Sequence, residues 1–189
     1  AWWVQDLAAA LPAGLLGTVS GQHIIEIGAA PGGKTAQLAS AGAHMQALDR
    51  SPARLTRLRQ NLERLGLTAE IIKADGETWR PQELADGLLL DAPCSATGTI
   101  RRHPDIQRTR HAADVARAAA LQARLTAHAA DLVRPGGVLV FATCSLDRQE
   151  GPEVAANLLA SDDRLRRSPI QADDIGGLAE ASRRAFAAF

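Results

Sequence analysis

Glu26-Ile27-Gly28-Ala29-Ala30-Pro31-Gly32-Gly33-Lys34-Thr35 joins an apolar run, Ile24 to Ile27, to a segment of helical pattern from about Gly33 to Ser40. A strand that passes through a glycine-rich turn into a helix is the opening unit of an open parallel sheet, and such a turn can bring a ligand close to backbone N–H groups. Gly28 to Thr35 also satisfies the phosphate-loop pattern G-x-x-x-x-G-K-T, with Leu88-Leu89-Leu90-Asp91 as a matching apolar strand and magnesium-site acid. A phosphate cradle works through successive backbone N–H groups, and Pro31 removes one of them. An NTPase would also leave the acid after the second strand and both cysteines without a role.

Outward from this turn, strand and helix patterns alternate. A helix is expected from Val4 to Leu16, broken around Pro12 and ended by Gly14 or Gly17. Met45 to Leu48 reads as a second strand, followed by a helix from Pro52 to Leu65 that Ser51 caps, with Gly66 past its end. Leu55, Leu58, Leu62 and Leu65 recur at helical spacing and mark its core face. Ile71-Ile72, Leu88 to Leu90 and Val138 to Phe141 give three more strands, and a long helix is expected from about Ala112 to Val133. This alternation predicts an α/β fold: a doubly wound, mostly parallel sheet with helices on both faces. After Ser161 the pattern weakens through Asp162-Asp163, Asp173-Asp174 and Gly176-Gly177, and no strand can be placed there.

At 189 residues, with 46% hydrophobic and 22% charged content, the chain suits one domain with a substantial core. Nothing in it reads as a membrane span or a signal peptide, so a cytoplasmic protein without membrane association is expected. The formal net charge is zero, so the overall basic excess typical of a stand-alone nucleic-acid binder is missing. Basic residues cluster locally at Arg101-Arg102-His103, at Arg108, Arg110 and His111, and at Arg164, Arg166 and Arg167. Each cluster by itself is more often a solvated face than a binding patch.

Acids follow consecutive strands. Asp49 stands about 20 residues after the glycine turn, where a carboxylate commonly accepts the hydroxyls of a bound ribose, and Asp75 follows the third strand within reach of an adenine amino group. S-adenosylmethionine has no pyrophosphate and so does not need the strict dinucleotide glycine spacing. The backbone from Gly28 to Gly33 can approach its amino-acid tail, and the helix amino end favours the tail carboxylate. Asp49 also reads as part of a helix cap, and Asp75-Gly76 as a turn. Lys34 stands out because only Lys73 is also a lysine in this arginine-rich chain; a compact ammonium suits a crowded pocket.

The two cysteines have twin settings, Asp91-Ala92-Pro93-Cys94-Ser95 and Ala142-Thr143-Cys144-Ser145, each just after an apolar strand. Neighbouring strands lie about 4.8 Å apart, so adjacent strand ends would turn both thiols to one pocket. A reducing compartment favours free thiols over a disulfide, and neither cysteine has a second Cys or His at zinc-ligand spacing, so no metal site is expected. Packing of two small buried thiols is the alternative. Ser95 to Ile100 reads as a mobile segment able to cover a flipped base.

Gly28 to Thr35, Asp91-Ala-Pro-Cys-Ser-Ala-Thr-Gly98 with Arg101-Arg102-His103-Pro104-Asp105, and Thr143-Cys-Ser145 together resemble the two-cysteine RNA cytosine-5 methyltransferases. The resemblance runs from Val4-Gln5-Asp6 to about Glu150. It implies a Rossmann-like class I methyltransferase that uses S-adenosylmethionine, with small-subunit (16S) ribosomal RNA as substrate. It implies Cys144 as the nucleophile that adds to carbon 6 of cytosine, Cys94 as the thiol that assists product release, and Asp91 as the contact to the base at N3. The cofactor set it implies is Gly28, Ala29, Ala30, Pro31, Gly32, Gly33, Lys34, Asp49, Arg54, Asp75 and Asp91, with Arg101, Arg102 and His103 on RNA. Arg101 or Arg102 is expected to lower the Cys144 pKa. Residues 1–160 are then the catalytic domain and 161–189 a poorly defined tail of it. Relatives add an amino-terminal RNA-binding domain, and most finish with an antiparallel strand pair. Where many of them read Glu-Asn after the second cysteine, this chain reads Glu150-Gly151. A non-catalytic, cofactor-retaining RNA-binding module is the alternative of a different class.

Overall fold

The computed structural model describes residues 2–171 and 174. Its elements are α1 (Leu7–Gly14), β1 (His23–Ile27), α2 (Gly33–Ser40), β2 (His44–Asp49), α3 (Pro52–Leu65), β3 (Glu70–Lys73), β4 (Ala85–Asp91), a 3-10 turn (Thr97–Thr99), α4 (Ile106–Thr109), α5 (Ala112–Ala130), β5 (Val133–Ala142) and α6 (Pro152–Ser161). The five strands lie in the order β3-β2-β1-β4-β5, every neighbouring pair parallel.

The central strands β1 and β4 are buried on both faces, so apart from Glu26 their inner positions are apolar without alternation, whereas the edge strands β3 and β5 are only partly buried. Ile25, Ile27, Leu48, Leu88 and Leu90 point to one face and pack with Leu125, Ala129 and Leu132, from α5 and the turn after it. On the other face Ile24, Met45, Leu89 and Val140 meet Ala13, Leu16 and Leu38 from α1, the turn after it and α2, while Ala47 meets Leu58 and Leu62 from α3. The sheet is therefore doubly wound as expected. The chain runs outward from β1 to β3, then crosses back to lay β4 on the other side of β1. The reversal opens a crevice at the carboxyl ends of β1 and β4, where open α/β sheets bind ligands.

Local signals place α3 well. The Ser51 hydroxyl accepts from Arg54 N, Pro52 occupies the first turn, and Gly66 closes the helix at φ +68°. Other boundaries differ from expectation. α1 starts at Leu7 because the Asp6 side chain caps it by accepting from Ala8 N, and Pro12 lies inside the helix instead of breaking it. The long helix ends at Ala130, since Val133 already pairs with Ala85 in the sheet. A register shift between Ala85 and Gly87 accommodates Pro135-Gly136-Gly137 within β5. α6 has no counterpart in the sequence reading, although Gly151-Pro152 is a recognisable helix start. Among the described residues no strand follows α6, and most of the expected tail, including Asp173 and Gly176-Gly177, lies outside them. No helix among the described residues is long and apolar enough to cross a membrane.

Candidate active site

The glycine turn is shaped by contact with β4. Gly28 has φ +82°, and a Cβ there would lie 2.4 Å from the Asp91 carbonyl oxygen, so only glycine lets the turn pass the end of β4. Gly28 N and Ala29 N donate to the Leu48 carbonyl, which ties the turn to the end of β2 as well. Gly32, at φ +103°, begins α2 without a side-chain cap for the first-turn N–H groups of that helix.

Asp49 ends β2 and is 5% exposed. Its Oδ1 accepts from Ser51 N, as a capping turn would require. Its buried Oδ2 has no hydrogen-bond partner, although Arg54 Nη1 stands 3.3 Å away as an ion pair. An unsatisfied buried carboxylate oxygen is costly unless a donor arrives, and a ribose hydroxyl is such a donor. Arg54 also donates to the Ala30 carbonyl, so it braces the turn against Asp49. Asp75 is exposed beyond β3, with Oδ1 accepting from Glu77 N in a turn.

Lys34 Nζ donates to Asp91 Oδ2 at 2.8 Å, linking the first turn of α2 to the end of β4. Beneath this pair lies Glu26, an acid within an otherwise apolar strand that the sequence reading passed over. It is 1% exposed and accepts from Thr35 Oγ1 at 2.6 Å. Burial, more than the nearby Asp91, pushes its pKa up to about 8, against the lowering effects of Thr35 and Lys34. An acid raised on folding is protonated in the native state while it ionises in the unfolded chain, so its contribution to stability falls as pH rises from about 4.5 to about 8. Glu26→Gln, neutral at every pH and still an acceptor for Thr35, is expected to flatten the decline in melting temperature across this window. A parallel decline in both proteins would contradict the assignment.

The two cysteines meet. Asp91 pairs with Ala142 in the β4–β5 register, and beyond these ends Cys94 Sγ and Cys144 Sγ stand 3.3 Å apart, both as free thiols. Cys94 is half-buried and Cys144 exposed. They titrate as a pair. The Cys144 thiol hydrogen-bonds the Cys94 sulfur, and with help from Thr143 and the Ala96 backbone it lowers Cys94 to about 6 against the opposing effect of burial. Cys144 rises correspondingly through the same contact, its own burial, the Cys94 charge and Asp91. The expected lowering of Cys144 by Arg101 or Arg102 is therefore replaced by a raising, because Asp91 and Cys94 are the charges that face it. Arg101, Arg102 and His103 are exposed on the loop after Cys94, with Arg102 Nη1 3.8 Å from Asp6 Oδ2.

Glu150 and the polar residues of the two cysteine motifs join the two cysteine loops. Glu150 is fully buried and accepts from Ser95 N at 2.7 Å and Ser95 Oγ at 2.5 Å. Ser145 Oγ lies 3.1 Å from both Ser95 Oγ and Thr97 Oγ1. Thr97 Oγ1 also accepts from Leu146 N, and Gly98 N donates to the Cys144 carbonyl. A cover formed by Ser95 to Ile100 would have to break these tethers to move. Among the described residues no group of three or more His, Cys, Asp or Glu is placed to hold a metal ion.

Residues 13–186 match the family described as 16S rRNA methyltransferase RsmB/F. The chain is 47% identical over 163 residues to ribosomal RNA small subunit methyltransferase B of Pseudomonas putida, covering 83% of this chain and 37% of the relative. It is 45% identical over 182 residues to the protein of the same name from Pseudomonas syringae pv. tomato, covering 93% of this chain and 40% of that one. The chain thus spans well under half the length of these relatives. Among solved structures, NSun6 from Pyrococcus horikoshii with SFG superposes with a TM-score of 0.77 at 29% identity, over 84% of this chain and 42% of that one.

Proposed function

Because the chain belongs to the RsmB/F family of 16S rRNA methyltransferases, we propose that residues 1–160 form an S-adenosylmethionine-dependent catalytic domain that methylates carbon 5 of a cytosine in 16S ribosomal RNA in the cytoplasm. The observation that carries this reading is the contact of Cys94 with Cys144 at neighbouring strand ends, beside Asp91 and the glycine turn. A methyltransferase acting on a more nucleophilic atom has no need of paired thiols.

The residues fit the cofactor. The unsatisfied Oδ2 of Asp49 suits a ribose hydroxyl, and the Gly28–Gly33 backbone with the uncapped start of α2 suits the amino-acid tail. Asp75, exposed beyond β3, is the residue assigned to the adenine edge. When bound, S-adenosylmethionine supplies an electrophilic methyl group on a sulfonium.

Carbon 5 of cytosine is a poor nucleophile, and covalent catalysis changes that. N3 of neutral cytosine only accepts, so Asp91, held by Lys34, hydrogen-bonds it through a proton that the two share as charge builds on the ring, and so fixes the base. Cys144 passes its proton across the 3.3 Å contact to the Cys94 thiolate and adds to carbon 6. The new S–C6 bond moves an electron pair toward carbon 5, which would then take the methyl group that the bound sulfonium supplies, the S–CH3 bond breaking and its electron pair leaving on sulfur as the neutral thioether S-adenosylhomocysteine. Carbon 5 then gives its proton to a water molecule, the electron pair left there expels Cys144 from carbon 6 as a thiolate, and Cys94 assists release by returning the proton to it. Arg101 and Arg102 offer charge, and His103 a ring N–H, to the RNA backbone.

Calorimetric titration with S-adenosylmethionine tests the cofactor site. Asp49→Ala is expected to weaken binding by about 10- to 100-fold, the loss of hydrogen bonds to a charged acceptor. Equal affinity in the variant and the parent would contradict the placement.

A further inference from the structure

Burying a carboxylate completely is costly, so the partners of Glu150 show what the burial achieves. Among the described residues, the hydrogen bonds to its carboxylate come from Ser95, one from the main-chain N–H and one from the hydroxyl. Two bonds to one residue fix its peptide orientation and its rotamer together. Ser95 directly follows Cys94, and the next residue, Ala96, is held at φ +61°. That left-handed conformation costs a non-glycine residue about 1–2 kcal/mol, so something must impose it. The Ala96 N–H, in the peptide plane that Ser95 begins, faces the Cys94 sulfur.

Glu150 reaches this position from the other loop. It closes the turn that follows Cys144 and Ser145 by donating its N–H to the Asp147 carbonyl. From α5, the fully buried Gln122 donates Nε2 to the Pro93 carbonyl at 3.0 Å and accepts from Gly151 N at 3.1 Å. The residues on both sides of Cys94 are therefore held by groups that also anchor the segment after Cys144.

We infer that Glu150 is a positioning residue: it clamps the Cys94 loop to the Cys144 loop, with Gln122 as the second jaw, and so sets the distance at which the two sulfurs share a proton. The clamp deepens the two-thiol reading of the site. Its effect is on the thiols themselves, because hydrogen bonding between sulfurs weakens steeply as 3.3 Å lengthens. With the contact and the Ala96 N–H displaced, Cys94 returns toward the ordinary thiol value of about 8.5.

Peptide-resolved alkylation by iodoacetamide as a function of pH reads this without RNA or S-adenosylmethionine, so the clamp and the cytosine-5 chemistry fail separately. The parent is expected to show an inflection near pH 6. Glu150→Ala should move that inflection upward and slow labelling at pH 6.5 by about tenfold or more. Glu150→Gln, which still accepts from Ser95 N, should restore most of the parent profile. A Glu150→Ala protein that melts cooperatively with an unchanged inflection overturns the inference, even if its melting temperature falls. Should that variant not fold, Ser95→Ala decides, since it removes one of the two bonds: a smaller upward shift supports the clamp, and an unchanged inflection overturns it.

Discussion

Cys144→Ala is expected to reduce methyl transfer to 16S ribosomal RNA to background, a loss of about 1,000-fold or more, as for other enzymes stripped of a covalent nucleophile. Without the S–C6 bond, nothing else at the ends of β4 and β5 raises the electron density at carbon 5. The substitution removes an exposed thiol beyond the end of β5, so the fold and the affinity for S-adenosylmethionine should be retained. The measurement is incorporation of labelled methyl groups into RNA, with cofactor titration as the control for folding. Residual transfer within tenfold of the parent would remove Cys144 from the mechanism.

Cys94→Ala is expected to act later. Addition at carbon 6 and methyl transfer can still proceed, but the thiol that assists release is gone, so a covalent protein–RNA species should accumulate and turnover should stop after about one cycle. Gel electrophoresis under denaturing conditions detects it as a band that nuclease removes. The variant also lacks the sulfur that receives the Cys144 proton, and formation of the adduct should accordingly need a higher pH than that at which Cys94 ionises, about 6. Turnover equal to the parent, with no retained RNA, would show that Cys94 has no part in release.

The features legible in the sequence are those encoded locally. Ser51, Pro52 and Gly66 delimit α3 by capping chemistry, and Gly28 to Gly33 announces a turn that few other sequences can make. The parallel sheet followed from apolar runs separated by helical patterns, because strands buried on both faces need no polar positions. The strand ends were less legible: β4 and β5 extend through Ala85 and Val133, and that pairing depends on a register shift set by the partner strand. Two motifs placed the cysteines at one site. Of the groups that hold them there, Glu150 stands in the sequence only as the continuation of the second motif with no role attached, and Gln122, one polar residue in an alanine-rich helix, gives no signal at all. Their role exists only where three segments meet. Glu26 was within reach, as a carboxylate inside a buried strand is itself a signal. Arg101 and Arg102 misled in the opposite way: closeness in sequence to Cys94 does not make them the charges that govern Cys144.

The most direct measurement is mass spectrometry of the protein after incubation with S-adenosylmethionine and 16S ribosomal RNA carrying 5-fluorocytosine, whose carbon 5 cannot lose a proton after methylation. A methylated nucleotide attached to the peptide containing Cys144 is the predicted result. Unmodified Cys144 in a preparation that methylates ordinary 16S ribosomal RNA would contradict the covalent cytosine-5 mechanism. Cofactor binding without either methylation or an adduct would point instead to a non-catalytic RNA-binding module.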